Sequence, residues 1–454
     1  MKTLSDLKTR TINLALLVFL TNLELPAFSK SQNSLAVSRV EENASQFMAA
    51  STSLGESDDC VPVHTGMQSD ISIFQLYCSP PARIRDSKPF TISGSFTVSD
   101  ILAPRFNFWR RIYSLWSSDQ YVLHVGEYPE IVLEIADVSQ VKGSNLEKTR
   151  VLKRVLAKHR QEYTQLLRSM HKAQKIDRSK WTPAMLQMDA NFAHISASDK
   201  YLRAADSLRV QRGQRDFIAS GLAVSNRYMD AIRSEFIAEG IPVELSNLAF
   251  IESSFNIEAY SKVGAAGIYQ IMPETGRQYM KVNDLIDERR DPIKSARAAA
   301  KLLRLYYNLL GAWPLAITGY NHGVGGIRTA MRATGSSNID TLIQKYDGKA
   351  FGFASKNFYT GFLALLWSLE NADRVFPDVK RESPMLFTEV RLPKDMSIVA
   401  IQKKFTMTAQ NVNKLNPEIT WKHIRSNSVL PAGFEIKIPK VETYTVEASA
   451  QLNP

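Results

Sequence analysis

Leu248-Ala-Phe-Ile-Glu-Ser-Ser-Phe-Asn256 decides the reading of this chain. Four apolar residues run directly into Glu252, so the carboxyl sits at the edge of a core. Partial burial disfavours the ionised form and raises a carboxyl pKa. A raised pKa is what a general acid working near neutral pH needs. A lone Glu in such a place is most often a surface residue at a helix end. Three further stretches follow in order: Gly264-Ala-Ala-Gly-Ile-Tyr-Gln-Ile-Met-Pro273, Ile317-Thr-Gly-Tyr-Asn-His-Gly323 and Phe353-Ala-Ser-Lys-Asn-Phe-Tyr359. Gly264 and Gly267 permit a tight turn and close backbone approach to a ligand. Tyr320 and Asn321 offer a hydroxyl and an amide suited to sugar amides. Each stretch alone is weak; the ordered set is specific.

Together the four stretches resemble the soluble lytic transglycosylase family, the goose-type-lysozyme-like glycosidases. The resemblance covers residues 216–376 best and is weaker upstream. It implies a lysozyme-like α-helical catalytic domain in which Glu252 is the catalytic acid and base. Ser253 would help position the reacting groups. Gly267, Tyr269 and Gln270 match the family's glycine-led substrate motif, with Gln270 contacting the sugar and Tyr269 packing against it. Tyr320 and Asn321 match the motif that shapes the cleft. The last motif departs from the family: strict alignment puts Phe358 on the expected tyrosine, with Tyr359 beside it. Gly319 stands where Ala is usual.

The implied reaction cleaves the β-1,4 bond between N-acetylmuramic acid and N-acetylglucosamine in peptidoglycan. Glu252 protonates the bridging oxygen, the substrate's N-acetyl group stabilises the cation, and Glu252 then takes a proton from the C6 hydroxyl. A 1,6-anhydro ring closes without water. Ordinary glycosidases use two carboxylates flanking the bond. The candidate partners Glu258, Glu274 and Asp284 lie outside the matching motifs, which favours one carboxyl. His322 lacks companion ligands, so neither a metal nor another cofactor is expected. A catalytically silent wall-binding protein and a true muramidase hydrolase are the alternatives.

Outward from the motifs, Ala298–Leu310 reads as a helix stopped by Gly311, and Gly361–Glu370 as a buried helix. Pro377 and Pro384 among charges mark a linker over 377–387. Residues 388–440 read strand, helix, helix, strand, with the second helix capped by Thr408 and ending near Asn416-Pro417. This unit resembles a LysM module, a small binder of N-acetylglucosamine chains, on Ser397-Ile398, Phe405, Leu415-Asn-Pro417 and Pro431–Pro439. Its start departs from that pattern at Lys394-Asp-Met396. A tail, 441–454, closes the chain.

Upstream, 104–215 is read as a helical N-terminal region because Phe108, Ile112 and Leu115 recur at helical spacing, as do Leu152 and Val155. Lys- and Arg-dense residues 148–175 read as a solvated helix face. Residues 30–103 read as a disordered lead-in followed by a small β-rich segment, from the alternation in Ile71–Tyr77 and Phe90–Val98. Cys60 and Cys78 are the only cysteines. In an exported protein they read as a disulfide, about 3 kcal/mol by loop closure, with free thiols the alternative.

Lys2, Lys8 and Arg10, a short apolar run, and Ala27 and Ser29 at the cleavage positions make 1–29 a secretory signal peptide. The formal charge of +11 loses three bases and two acids (Asp6 and Glu24) with it, leaving +10. A basic exported protein suits an anionic polymer or membrane surface. The scattered bases and the export signal argue against nucleic acid. The expectation is a mainly α, periplasmic monomer, associated with the cell wall or peripherally with the membrane, whose partner is the peptidoglycan glycan strand.

Overall fold

The computed structural model describes residues 60–68, 70–78, 91–93 and 96–440. The expected signal peptide over 1–29, the expected lead-in to residue 59 and the expected tail 441–454 lie outside the described residues. The chain is mainly helical. Its central element is the helix Phe353–Glu370, buried without a break from Ser355 to Ser368. That burial follows from the run Gly361-Phe-Leu-Ala-Leu-Leu-Trp367, which leaves no polar face to turn to water.

The helix Ala103–Ser114 lies along it. Trp109 Nε1 and Arg105 Nη1 both donate to Asn357 Oδ1, at 3.0 and 3.3 Å. Phe96 meets Phe362 edge-on at 5.5 Å. Residues 96–116 therefore share one core with Ile218–Phe376, and the expected boundaries at 104 and 216 divide that core. The helix Pro292–Leu310 packs an alanine-rich face on Met229–Ala238 and Trp313–His322. It ends where expected, at Gly311 with φ 79°.

The region 104–215 is not purely helical. It contributes Gln120–Val125, Val132–Asp137 and Leu208–Arg212 to an antiparallel sheet with Cys60–Gln68 and Ile71–Cys78. Gln120–Val125 and Val132–Asp137 are buried on both faces, so their sequences carry no alternation to betray them. The strands Cys60–Gln68 and Ile71–Cys78 thus belong to this sheet rather than to a separate unit. The helix Asn145–Ala173, started by a Ser144–Glu147 capping box, covers the sheet with Leu152, Val155 and Leu156 at one end and Leu167 and Met170 at the other. Arg150, Arg154, Lys158, Arg168 and Lys172 are exposed, while His159 turns inward to Glu134 at 2.6 Å. Backbone register sets Cys60 opposite Cys78. The second β stretch is only a short hairpin, Thr91–Ser93 with Phe96–Thr97.

In the last unit Phe387–Arg391 pairs antiparallel with Glu435–Pro439, and Met396–Ser397 with Val429–Leu430. Between them run Ile398–Lys404, Ala409–Leu415 with Thr408 as its cap, and a third helix not expected from sequence, Trp421–Arg425. Five residues are too few to show a helical period.

This unit has its own core, but the core includes Ile286, and Leu285 packs on it. Around that contact lies a buried ionic seam. Lys437 pairs with Asp291. Lys294 Nζ meets Glu418 at 3.1 Å and Glu288 at 3.0 Å. His423 Nε2 donates to the Asp284 carbonyl at 2.6 Å. The intervening segment is anchored as well: Glu382 pairs with Arg227, and its N–H donates to the Ala223 carbonyl at 3.0 Å. Residues 377–387 therefore do not act as a free linker. Among the described residues no helix is long and apolar enough to cross a membrane.

Candidate active site

Glu252 lies in the last turn of the short helix Leu248–Ser253, every residue of which is buried. Phe250 and Ile251 pack into the main core and draw the Glu252 side chain in with them. Only 5% of the residue remains accessible. Burial alone pushes its carboxyl well above the ordinary 4.5. Among the described residues the carboxyl has no ion pair. The candidate partner acids are all on the surface: Glu258, Glu274 and Asp284 are exposed, and Asp284 faces Lys422 at 3.5 Å.

The helix ends in a left-handed turn, Ser254 at φ 51° and Phe255 at φ 60°. Gln270, across the site in the second motif, has φ 46°. Non-glycine residues held in this region cost about 1–3 kcal/mol each, and such strain collects at functional sites. Ser253 joins the two motifs. Its Oγ lies 3.1 Å from the Ala249 carbonyl and 3.0 Å from the Ile268 carbonyl, and accepts from Asn256 N at 3.1 Å.

Gly267 is required by both its backbone and its surroundings. Its φ is +73°, and a Cβ there would lie 1.8 Å from the Arg289 carbonyl oxygen. Gln270 is buried and donates Nε2 to the Gly267 carbonyl at 2.9 Å. Tyr269 is placed differently from the expectation. Its ring is 0% exposed, its hydroxyl donates to the Ser246 carbonyl at 2.8 Å, and its face tilts against Phe236. It props the motif from behind rather than offering a face to a sugar.

Tyr320 reaches the motif from the helix Trp313–His322 and donates its hydroxyl to the Tyr269 carbonyl at 2.9 Å. Burial raises its pKa well above 10, and the Glu252 charge adds to the rise. Tyr320 thus stays a neutral donor within the field of Glu252. Asn321 is buried next to it, with Ser355 Oγ donating to its Oδ1 at 3.5 Å. Ser355 also sits 2.9 Å from His322 Nδ1, and burial lowers the His322 pKa. Tyr359 is buried, and burial followed by the charge of Asp340 raises its pKa. The structure thus groups Glu252, Ser253, Gly267, Gln270 and Tyr320, with Asn321 alongside. Tyr359 is set in the same core but answers to Asp340 rather than to Glu252.

Sequence reasoning missed Arg289. Its Nη1 donates to the carbonyls of Gly264 at 2.6 Å and Ile271 at 3.0 Å, closing the base of the second motif. Asp287 holds the rest of the guanidinium, accepting from Nε and Nη2 at 2.8 Å each. The only sequence signal was the dense charge of Asp287-Glu-Arg-Arg-Asp291. Among the described residues no group of three or more His, Cys, Asp and Glu is arranged to hold a metal ion.

Residues 237–343 match the sequence model of the family described as transglycosylase SLT domain. The chain is 31% identical over 185 residues to membrane-bound lytic murein transglycosylase D of Escherichia coli K12, covering 38% of this chain and 39% of that protein. It therefore spans about two fifths of the length of that curated relative. Among solved structures, the soluble lytic transglycosylase of Pseudomonas aeruginosa, as an inactive mutant, is 20% identical over 34% of this chain and 25% of its own, with a TM-score of 0.27. The 70 kDa soluble lytic transglycosylase of Escherichia coli is 19% identical over 35% and 27%, also with a TM-score of 0.27.

Proposed function

We propose that this protein is a peptidoglycan lytic transglycosylase. It cleaves the β-1,4 bond between N-acetylmuramic acid and N-acetylglucosamine and leaves 1,6-anhydro ends. The observation that carries the reading is Glu252, a buried carboxyl with a raised pKa and no carboxylate partner among the described residues. A single group kept protonated can give its proton to the leaving oxygen. Once ionised in a poorly solvated site it is a strong base for the C6 hydroxyl. The match to a transglycosylase domain across this segment supports the same chemistry.

In this scheme Ser253 fixes the distance between the acid and the Gly267–Gln270 turn. Tyr320 and Asn321 shape the cleft wall, and Tyr359 supports it. Gln270 binds the sugar after turning from its backbone partner. No metal or cofactor takes part. The last unit acts as a LysM-like binder of N-acetylglucosamine chains. Cys60 and Cys78 form a disulfide: directly opposed antiparallel residues have Cα atoms about 4.5–5.5 Å apart, within the range a disulfide spans. The protein is exported by its signal peptide to the periplasm and works on the wall as a monomer.

The test is digestion of purified sacculi with the wild type and with Glu252→Gln, followed by mass analysis. Anhydro-ended fragments from the wild type, reduced about 10²–10⁴-fold in the variant, are expected. Reducing ends would make it a hydrolase. Sacculus binding without fragments would make it a silent binder.

A further inference from the structure

A groove of about 1130 Å³ runs between the catalytic region and the last unit. It begins at Ser253, the residue after the candidate acid, but Glu252 does not line it. Its volume exceeds the roughly 300–1000 Å³ typical of small-molecule sites, so it suits a chain better than a compact ligand.

The lining has two kinds of group. Aromatic faces stand at its edges: Tyr260 is 59% exposed, Phe217 is 39% exposed, and Trp421 is half-buried on the opposite wall. Exposed rings of this kind carry apolar faces with little entropy to lose on binding. The charge is one-sided, five bases against the single acid Glu258. Some of these bases are already paired, as Arg227 is with Glu382. Lys414, exposed on the last unit, makes no ion pair among the described residues. Arg290 lies over the Tyr260 ring at 5.2 Å, 3.8 Å from Asp287. Its Nε and the hydroxyl of Ser254 are buried with no hydrogen-bond partner. A buried donor without an acceptor costs about 1–3 kcal/mol, and both residues line this groove.

We propose that the groove is a second peptidoglycan site, built jointly by the two units, which takes a carboxylate-bearing segment of the wall polymer. Pyranose rings lie on Tyr260 and Trp421, and carboxylates meet Arg290, Ser254 and Lys414. The inference rests on the proposed substrate class and extends it by specifying the charged rather than the neutral part of the polymer. The two faces of the groove belong to different units, so binding needs the docked arrangement that the ionic seam maintains.

The test uses the full chain carrying Glu252→Gln, so that nothing is cut, sedimented with intact sacculi, with or without Tyr260→Ala plus Lys414→Glu. The double change lowers affinity for sacculi about tenfold, equivalent to 1.4 kcal/mol. Lys414→Glu alone leaves the binding of a neutral N-acetylglucosamine hexamer unchanged, because that charge meets only carboxylates. If the double variant melts early, Lys414→Glu alone carries the test with about a threefold loss, because a single exposed charge contributes modestly. Sacculus affinities within twofold of each other, or equal losses for sacculi and hexamer, overturn the proposal. Cleavage of the same sacculi by the wild type is measured alongside. Cleavage without an effect of the groove variants sinks the groove alone; neither cleavage nor binding sinks the function as well.

Discussion

At the scale of single residues, Glu252 makes a prediction about pH. Its native carboxyl is held well above 4.5 by burial, whereas in the unfolded chain it titrates near its ordinary value. Native protein therefore binds the proton more tightly. The stability this group contributes is complete below the unfolded pKa and is lost as pH rises through the native one. Glu252→Gln removes that loss. Calorimetry should find the variant and wild type equally stable near pH 4 and the variant the more stable near pH 8. In the proposed reaction the same pKa sets the pH profile, with activity falling on the alkaline side as the acid ionises.

Gly267 gives a second prediction at this scale. Gly267→Ala drives a methyl group to 1.8 Å from the Arg289 carbonyl at φ +73°. Urea denaturation should report a loss of about 3–5 kcal/mol, the range reserved for backbone strain and overpacking together. The motifs that carry Glu252, Ser253, Gly267 and Tyr320 were legible through their resemblance to a known family, and the structure sets them close together. The position of Tyr269 was not legible. Whether an aromatic ring faces a ligand or a core depends on which partner covers it, here Ser246 and Phe236, and neither is near it in sequence.

At the scale of elements, the segment Asp287–Asp291 does two jobs. Arg289 grips the Gly264–Ile271 turn, and Asp291 caps the helix Pro292–Leu310, accepting from Ile293 N at 2.8 Å and Lys294 N at 3.0 Å. Arg289→Lys keeps the charge but cannot reproduce the fork of bonds. The expected result is a loss of about 2–4 kcal/mol, with faster hydrogen exchange at Ala266 and Ile271 than in the wild type. Unchanged exchange there would mean that the turn is held without the guanidinium.

The helices were the legible elements. Gly311 stopped one and Thr408 capped another, and both signals act within a few residues. Of the sheet, Ile71–Cys78 was legible by its alternation, but Leu208–Arg212 was not, since it pairs with Gln120–Val125 from far along the chain. Strands buried on both sides look, in sequence, like pieces of a helix core.

For the whole molecule, the seam decides whether the last unit is an appendage. Asp291 and Glu418 are fully buried and Lys437 nearly so. Removing one partner of a buried pair leaves an uncompensated charge and costs about 3–5 kcal/mol. Lys437→Met should lower stability by that amount. Adding Asp291→Asn, which keeps an amide oxygen for the helix cap, should recover most of it. Calorimetry of the full chain should show one transition spanning both units. Two separate transitions, with the later one unmoved by Lys437→Met, would show the seam to be energetically idle. None of this docking was readable beforehand. A charge in a sequence reads as a solvated one until its partner is seen.

The seam also imposes an order of events. Lys437 follows Asp291 by 146 residues, and chains are synthesised at about 5–20 residues per second. At that pace about 7–29 seconds separate the two residues, and until the second arrives Asp291 caps its helix without its cation, next to an Ile286 still open to water. The fold that carries the candidate site is thus completed by the last described strand, Glu435–Pro439, and a chain interrupted shortly before it would carry every residue of that site on an unfinished fold.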